Sequence, residues 1–311
     1  MLKKYLNQIR YNYFFSKVIS YAMLPFYLAA LWIARQIRTK GKLNGITIRY
    51  DSIEVRFPKD VGVGFSSSIF WKGDDGFEPY TWRVIRALSK QADVFVDIGS
   101  NFGFYSVLVH KLNPRIQSIC FEPVAEIYQD NLEFHACNDI QNYEVLNFAV
   151  SDTAGADTIF LPKNTAVKEV RSASLEKDFF YNQQFDQHQL TITKIVWDEY
   201  AQKHSDRFPG KKCLIKIDVE GHELAVFKGS RKFILAHQPF FVCEIDKNAD
   251  NVTALTAILS ELDYSAFAVS PVGLFAINFN DIVSYSGGRD FLLMPRNNVQ
   301  KNYLSFQELN W

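Results

Sequence analysis

The sequence predicts an α/β fold, a mostly parallel, doubly wound sheet with an N-terminal helical extension. Two observations predict the sheet. Strand-length apolar runs recur at Val94–Ile98, Ile116–Phe121, Val145–Val150, Cys213–Val219 and Phe240–Ile245. Segments of helical spacing alternate with them at Tyr105–Leu112, Ala125–His135, Glu223–Leu235 and Val252–Leu262. Strands that alternate with helices pair in parallel and are covered on both faces. A chain of 311 residues, 48% of them hydrophobic, can bury one large core of this kind beside an extension.

The extension comes first. Residues 1–50 hold nine Lys or Arg and no Asp or Glu. Val18–Ala34 runs seventeen residues without a charge, between basic flanks. That length is the lower limit for a bilayer-spanning helix, and Pro25 in its middle would kink or break one. The flanks lack the asymmetry that sets an orientation, and no small-residue cleavage site follows. Residues 1–45 are therefore expected to be helical, and three readings stay open. They pack on the main domain, they lie on a membrane surface through residues 1–40, or they span it. On a surface, Tyr21, Phe26, Tyr27 and Trp32 would sit at headgroup level and the basic residues on anionic lipid. The other 261 residues carry 25 basic and 34 acidic side chains, a net charge of −9. No basic stripe suits a phosphate backbone, so nucleic acid is set aside as a partner. Cys120, Cys137, Cys213 and Cys243 show no C-x-x-C spacing and read as free thiols of a reducing, cytoplasmic compartment.

The main domain is expected over residues 46–311. Ile46–Phe57 alternates apolar and polar residues, as a half-exposed hairpin does. Gly62–Asp75 reads as a Gly/Ser-rich loop. Glu78–Lys90 has helical spacing, with Trp82, Ile85 and Leu88 on one side. Residues 151–210 are less regular, apart from a strand at Leu190–Ile195 and a short helix at Trp197–Lys203. Within them, residues 160–188 read as either a lid over the site or a solvated loop. Lys163, Lys168 and Arg171 there, followed by Phe179, Phe180 and Tyr181, would suit an anionic sugar. Ser265–Val269, Gly273–Ile277 and Phe291–Met294 close the sheet.

Chemistry concentrates in Val94–Ser106, VFVDIGSNFGFYS. A buried strand runs into a tight turn and then a helix. Asp97 ends the strand, so its carboxylate lies at the floor of a cleft. Gly99 and Gly103 lack a Cβ and allow close backbone approach. Asn101 tolerates a left-handed conformation, and the helix start favours an anion. Asn101 and Phe104 break the G-x-G-x-x-G dinucleotide pattern, and no G-x-x-x-x-G-K-[ST] phosphate loop occurs. Glu122, twenty-five residues past Asp97, ends the next strand, where an acid can accept from both ribose hydroxyls of a nucleoside. Asp152, after the third strand, could accept from an adenine amino group, although Ser-Asp-Thr is also ordinary turn chemistry.

A second cluster is Lys216–Glu223, KIDVEGHE. Its strand is expected beside the Val94–Ile98 strand. Asp218 and Glu220, two apart, would share a face if the segment is extended. Gly221 permits a turn, after which His222 and Glu223 would start a helix. Glu244, ending FFVCEI, is a further cleft candidate.

With these motifs in view, the chain resembles the FkbM-type family of S-adenosylmethionine-dependent methyltransferases. FEPYTWRVIRAL (77–88), VFVDIGSNFGFYS (94–106), CFEP (120–123), NFAVSD (147–152) and IKIDVEGHELAVFKG (215–229) carry the resemblance, in the family's order, over about residues 77–245. It implies a class I methyltransferase, Rossmann-like fold with a seven-stranded sheet. A cofactor half would span about 77–160 and an acceptor-side insertion about 160–210. It implies O-methylation, with a carbohydrate or glycolipid-like acceptor expected here, and S-adenosyl-L-methionine as cofactor. Cofactor contacts carry over to Asp97, Gly99, Asn101, Gly103 and Glu122, and to Glu78 just upstream. For direct displacement, His222 is the natural proton acceptor. Asp218 or Glu220 could serve instead, or could hold a divalent ion, but no third ligand is visible and no metal site is predicted. Two other readings stand beside this one, a membrane-tethered nucleoside-binding module without catalysis and an NAD-dependent enzyme.

Overall fold

The protein is described from a computed structural model covering residues 46–162, 174–175 and 187–297. The expected helical extension (1–45) and most of the expected lid (163–173 and 176–186) lie outside the described residues. No described helix is long and apolar enough to cross a membrane.

In chain order the described strands and α-helices begin with a hairpin, β1 (Ile46–Tyr50) and β2 (Ile53–Phe57), then helices α1 (Val63–Lys72) and α2 (Pro79–Ser89). The alternating part follows, with β3 (Val94–Ile98), α3 (Phe104–Leu112), β4 (Gln117–Phe121), α4 (Ala125–Cys137) and β5 (Tyr143–Leu146). Then come β6 (Ala149–Ser151), β7 (Gly155–Pro162), β8 (Gln187–Val196), α5 (Trp197–Lys203), β9 (Cys213–Ile217), α6 (Glu223–Lys228), α7 (Arg231–His237) and β10 (Phe240–Glu244). The last are α8 (Ala249–Glu261), β11 (Tyr264–Ser270), β12 (Gly273–Ile277) and β13 (Asp290–Pro295).

Eight strands form the main sheet in the order β12-β11-β13-β10-β9-β3-β4-β5. β5, β4, β3, β9 and β10 pair in parallel, and β13 enters antiparallel to both β10 and β11. Without β12 the sheet is the expected seven strands. β12 is added at the edge as a hairpin on β11, in a register that pairs Ser270 with Gly273. Strand order reverses between β3 and β9, which opens a crevice at their carboxyl ends.

Side-chain alternation divides the core into two layers. On β3, Val94, Val96 and Ile98 face the cluster built with Trp197, Phe208 and Phe233 from α5, the following loop and α7. Phe95 faces the other cluster, with Phe57, Phe102, Phe104 and Phe134. Asp97 shares the Phe95 face by the same period of two. So does Lys216, because Leu214 packs in that second cluster and Asp97 lies opposite Lys216 in the parallel register.

Three expected elements differ. Gly62–Asp75 is largely helix, not loop. Gly62 at φ 58° precedes α1 and Gly73 at φ 64° ends it, its N–H donating to the Ile69 carbonyl. Between them Ile69 is buried and Phe65 packs on the same core, a spacing hidden by the serine run. Val145–Val150 is two strands, because Asn147 turns its amide to the carbonyls of Glu122 (2.8 Å) and Pro123 (2.9 Å). β6 therefore leaves the main sheet and pairs with β8 in a separate three-stranded sheet. Glu223–Leu235 is two helices, parted at Gly229. A Cβ at Gly229 would lie 2.1 Å from the Ser151 carbonyl oxygen, so close contact with β6 fixes the break.

Candidate active site

The crevice is a cavity of about 340 Å³, within the usual range for small-molecule sites. Its walls come from the carboxyl ends of β3 (Ile98, Gly99), β4 (Phe121, Glu122), β9 (Lys216, Asp218) and β10 (Glu244), with Phe65, Phe77 and Phe102 closing one side.

The turn after β3 is held in a left-handed path, with Gly99 at φ 81°, Asn101 at φ 50° and Gly103 at φ 85°. The N–H groups of Gly99 and Ser100 donate to the Phe121 carbonyl at 3.0 and 2.9 Å. Asn101 N–H donates to Glu122 Oε2 at 3.0 Å, and Val124 N–H to Glu122 Oε1 at 2.9 Å. The turn and the acid are thus one unit. Glu122 is buried yet lines the cavity. Burial pushes its carboxyl up to about 7, and the two N–H bonds work against that rise. A carboxylate has about four acceptor positions, so lone pairs remain for hydroxyl donors from a ligand.

The glycines also serve packing. A Cβ on Gly99 would stand 1.9 Å from the Asp218 carbonyl oxygen. A Cβ on Gly103 would meet His135 and Asn131 of α4, and Gly103 does not line the cavity. Asp97 likewise lies behind the wall. Neither of its oxygens has a hydrogen-bond partner among the described residues, and burial pushes its carboxyl up to about 6. Its register partner Lys216 is the counter-charge, donating to Asp218 at 2.9 Å and resting over the Tyr105 ring. Burial opposes the Lys216 charge, but Asp218, Asp97 and Glu78 hold it well above the usual lysine range. Glu78 precedes α2 at φ 34° and accepts from the Tyr105 hydroxyl at 2.6 Å. Its carboxyl is raised mainly by burial.

The second cluster gathers differently from the expectation. Asp218, Glu220 and His222 all line the cavity. Glu220 sits at φ 49°, so a turn, not an extended strand face, returns it there. His222 precedes α6 rather than starting it, with Nε2 3.0 Å from Ser151 Oγ. Glu223 points inward and accepts from Gly221 N–H at 2.9 Å, off the cavity wall. Glu244 is on the wall and pairs with Arg289, which also stands 4.0 Å from Glu220. Burial, then Asp218, raises the Glu244 carboxyl although Arg289 lowers it. Asp152 is not brought to the site. Ala149 and Val150 of β6 line the cavity, but Asp152, just past the strand, is exposed and off the cavity wall. No group of three or more His, Cys, Asp or Glu placed to hold a metal occurs among the described residues.

The local sequence marks neither Arg289 nor Tyr105 as part of the site, and the motif alone gives Lys216 no role. A lysine inside the apolar run CLIKI was the available signal, since a buried charge requires a partner. Arg289 carries no such mark.

These acids set a pH dependence. The Asp97, Glu122 and Glu223 carboxyls rise to about 6, 7 and 7. Groups raised on folding stabilise fully below their unfolded values near 4, and lose that contribution as pH rises through 6–7. His110 and His135 are lowered by burial and act oppositely, but only below about pH 6.5. The ligand-free protein is therefore expected to melt at a lower temperature at about pH 8 than at about pH 6. A calorimetric series in matched ionic strength checks this, and a flat or rising melting temperature contradicts it.

A doubly wound sheet with its turn and acid at the strand-order reversal is the framework of a class I methyltransferase. Residues 97–266 match the FkbM methyltransferase domain, and the chain belongs to that family of methyltransferases. The hexuronic acid methyltransferase AglP of Haloferax volcanii is 30% identical over 185 residues, 58% of this chain and 69% of that protein. The methyltransferase sdnD of Sordaria araneosa is 26% identical over 152 residues, 43% of this chain and 59% of that protein. Among solved structures, the FkbM methyltransferase of Methylobacillus flagellatus KT aligns at 17% identity and TM-score 0.39, covering 65% of this chain and 44% of that one. The strand order and the family match, not this overlay, define the fold.

Proposed function

We propose that the chain transfers a methyl group from S-adenosyl-L-methionine to a hydroxyl of a carbohydrate or glycolipid-like acceptor. The observation that carries this is the Glu122–Asn101 unit, a buried acid with free lone pairs facing a cavity at the strand-order reversal. Bound there, the cofactor supplies an electrophilic methyl carbon on a positively charged sulfur. The cavity fits such a ligand by charge. Glu78, Glu122, Asp218, Glu220 and Glu244 line it against Lys216 and Arg289, an excess of acid that suits a cationic ligand.

Each residue then has a task. Glu122 accepts ribose hydroxyls, and the Gly99–Gly103 turn brings backbone to the nucleoside. Glu78 and Asp218 face the cofactor's positive charge, with Asp97 behind them. His222 takes the acceptor's proton, its ring oriented by Ser151, with Asp218 and Glu220 beside it. Carboxylates in this number also suit a polyhydroxyl acceptor, because each can accept from neighbouring sugar hydroxyls. The name of the Haloferax relative supports the same acceptor class.

Mass spectrometry of host glycans and small metabolites, with and without the gene, tests the acceptor. Loss of one CH₂ increment from a sugar species supports the reading, and loss from a non-carbohydrate alone overturns it. On the acceptor so found, His222→Ala is expected to lower kcat by about a hundredfold while leaving S-adenosylhomocysteine affinity within about twofold. Unchanged kcat removes His222 from the reaction.

A further inference from the structure

The Gly99–Gly103 turn is shaped from behind as well as by Glu122. α4 presents Asn131 and His135, one helical turn apart and both fully buried. The Asn131 amide donates to Ser100 Oγ at 3.0 Å and to the Asn101 carbonyl at 2.7 Å. Asn101 is therefore gripped from two sides, its N–H by Glu122 and its carbonyl by Asn131. It is also the non-glycine residue of the turn with a left-handed backbone, a conformation that relaxes unless its surroundings enforce it. Gly103 fits the same anchor, since its absent Cβ leaves the space that Asn131 Oδ1 and His135 Cε1 occupy.

The anchor is itself braced. His135 Nδ1 lies 2.9 Å from the Asn131 carbonyl, and Nε2 lies 2.6 Å from Ser106 Oγ. A carbonyl only accepts, so in the neutral ring Nδ1 carries the proton and Nε2 is an acceptor, which shares the one Ser106 hydroxyl proton with the Gly103 carbonyl 3.0 Å from the same Oγ. The ring also stacks on Tyr143, centroids 4.3 Å apart at 13°. None of Asn131, His135, Ser106 or Tyr143 lines the cavity.

We propose that Asn131, braced by His135 and Ser106, is a positioning residue that sets the cofactor turn in its binding conformation from outside the cavity. This rests on the reading that the turn holds the cofactor. An amide at 131 is required because the turn offers an acceptor, the Asn101 carbonyl, at that point. Aspartate cannot donate there, and alanine leaves the carbonyl without this partner.

The test is calorimetric titration of the full chain with S-adenosylhomocysteine. Asn131→Ala is expected to raise its Kd by about tenfold or more. Leu259→Ala in α8 is the control, a buried truncation that touches neither turn nor cavity and should leave Kd within about twofold at a comparable loss of melting temperature. Hydrogen exchange at the Asn101 and Gly103 amides should quicken in Asn131→Ala and stay unchanged in the control. Should Asn131→Ala prove insoluble, Ser106→Ala is titrated instead, with the same direction expected. Unaltered Kd in the tested variant, or an equal loss in the control, overturns the proposal. A wild-type chain that binds no S-adenosylhomocysteine overturns the cofactor reading itself.

Discussion

Glu122→Ala is expected to weaken S-adenosylhomocysteine binding by about a hundredfold or more. The change does two things. It removes the acceptor proposed for the ribose, and it leaves the N–H groups of Asn101 and Val124 without their partners. Each buried group left unpaired costs about 1–3 kcal/mol, and the Asn101 bond is the one that couples acid to turn. Glu122→Gln should fall between, because an amide offers one acceptor oxygen where two N–H groups converge. Titration calorimetry orders the three proteins. Equal affinity in all of them would detach Glu122 from the site.

The second large effect is on the fold. Gly99→Ala places a methyl group where the Asp218 carbonyl oxygen would be 1.9 Å away, with backbone on both sides of the clash. It also asks alanine to hold φ 81°. Together these are expected to cost at least about 3 kcal/mol and lower Tm by roughly 10 °C. Gly210→Ala separates the two causes. Gly210 has a similar φ of 68° and nothing within 4 Å of a built Cβ, so alanine there meets the backbone penalty alone, about 1–2 kcal/mol. Scanning calorimetry of both variants reads the difference. Equal losses would mean that contact with Asp218 does not select glycine.

The parallel sheet was legible because its strands are short apolar runs separated by helical spacing, and the period of two places Asp97 and Lys216 on one face. The site was legible where chemistry is local in sequence. Asp218 and His222 sit in one dense motif, and Glu122 ends an apolar strand. Other features depend on contacts that no local pattern records. The serine run at 66–68 masks α1, whose glycine-bounded ends and buried Ile69 define it only in three dimensions. Asp152 looked like the end of a third strand, but Asn147 bends the chain toward Glu122 and carries β6 into another sheet. Arg289 reaches the cavity because β13 runs antiparallel beside β10, which sets Glu244 opposite Asp290. The turn glycines also have a packing role that no local pattern records, since their missing Cβ atoms make room for Asp218 and α4.

The most direct test is a crystal structure of the full chain grown with S-adenosylhomocysteine. The ribose hydroxyls should lie within hydrogen-bond distance of Glu122, over the Gly99–Gly103 turn, with the sulfur toward Asp218 and His222. A nucleoside bound elsewhere, or a crevice filled by the chain's own side chains, would contradict the assignment.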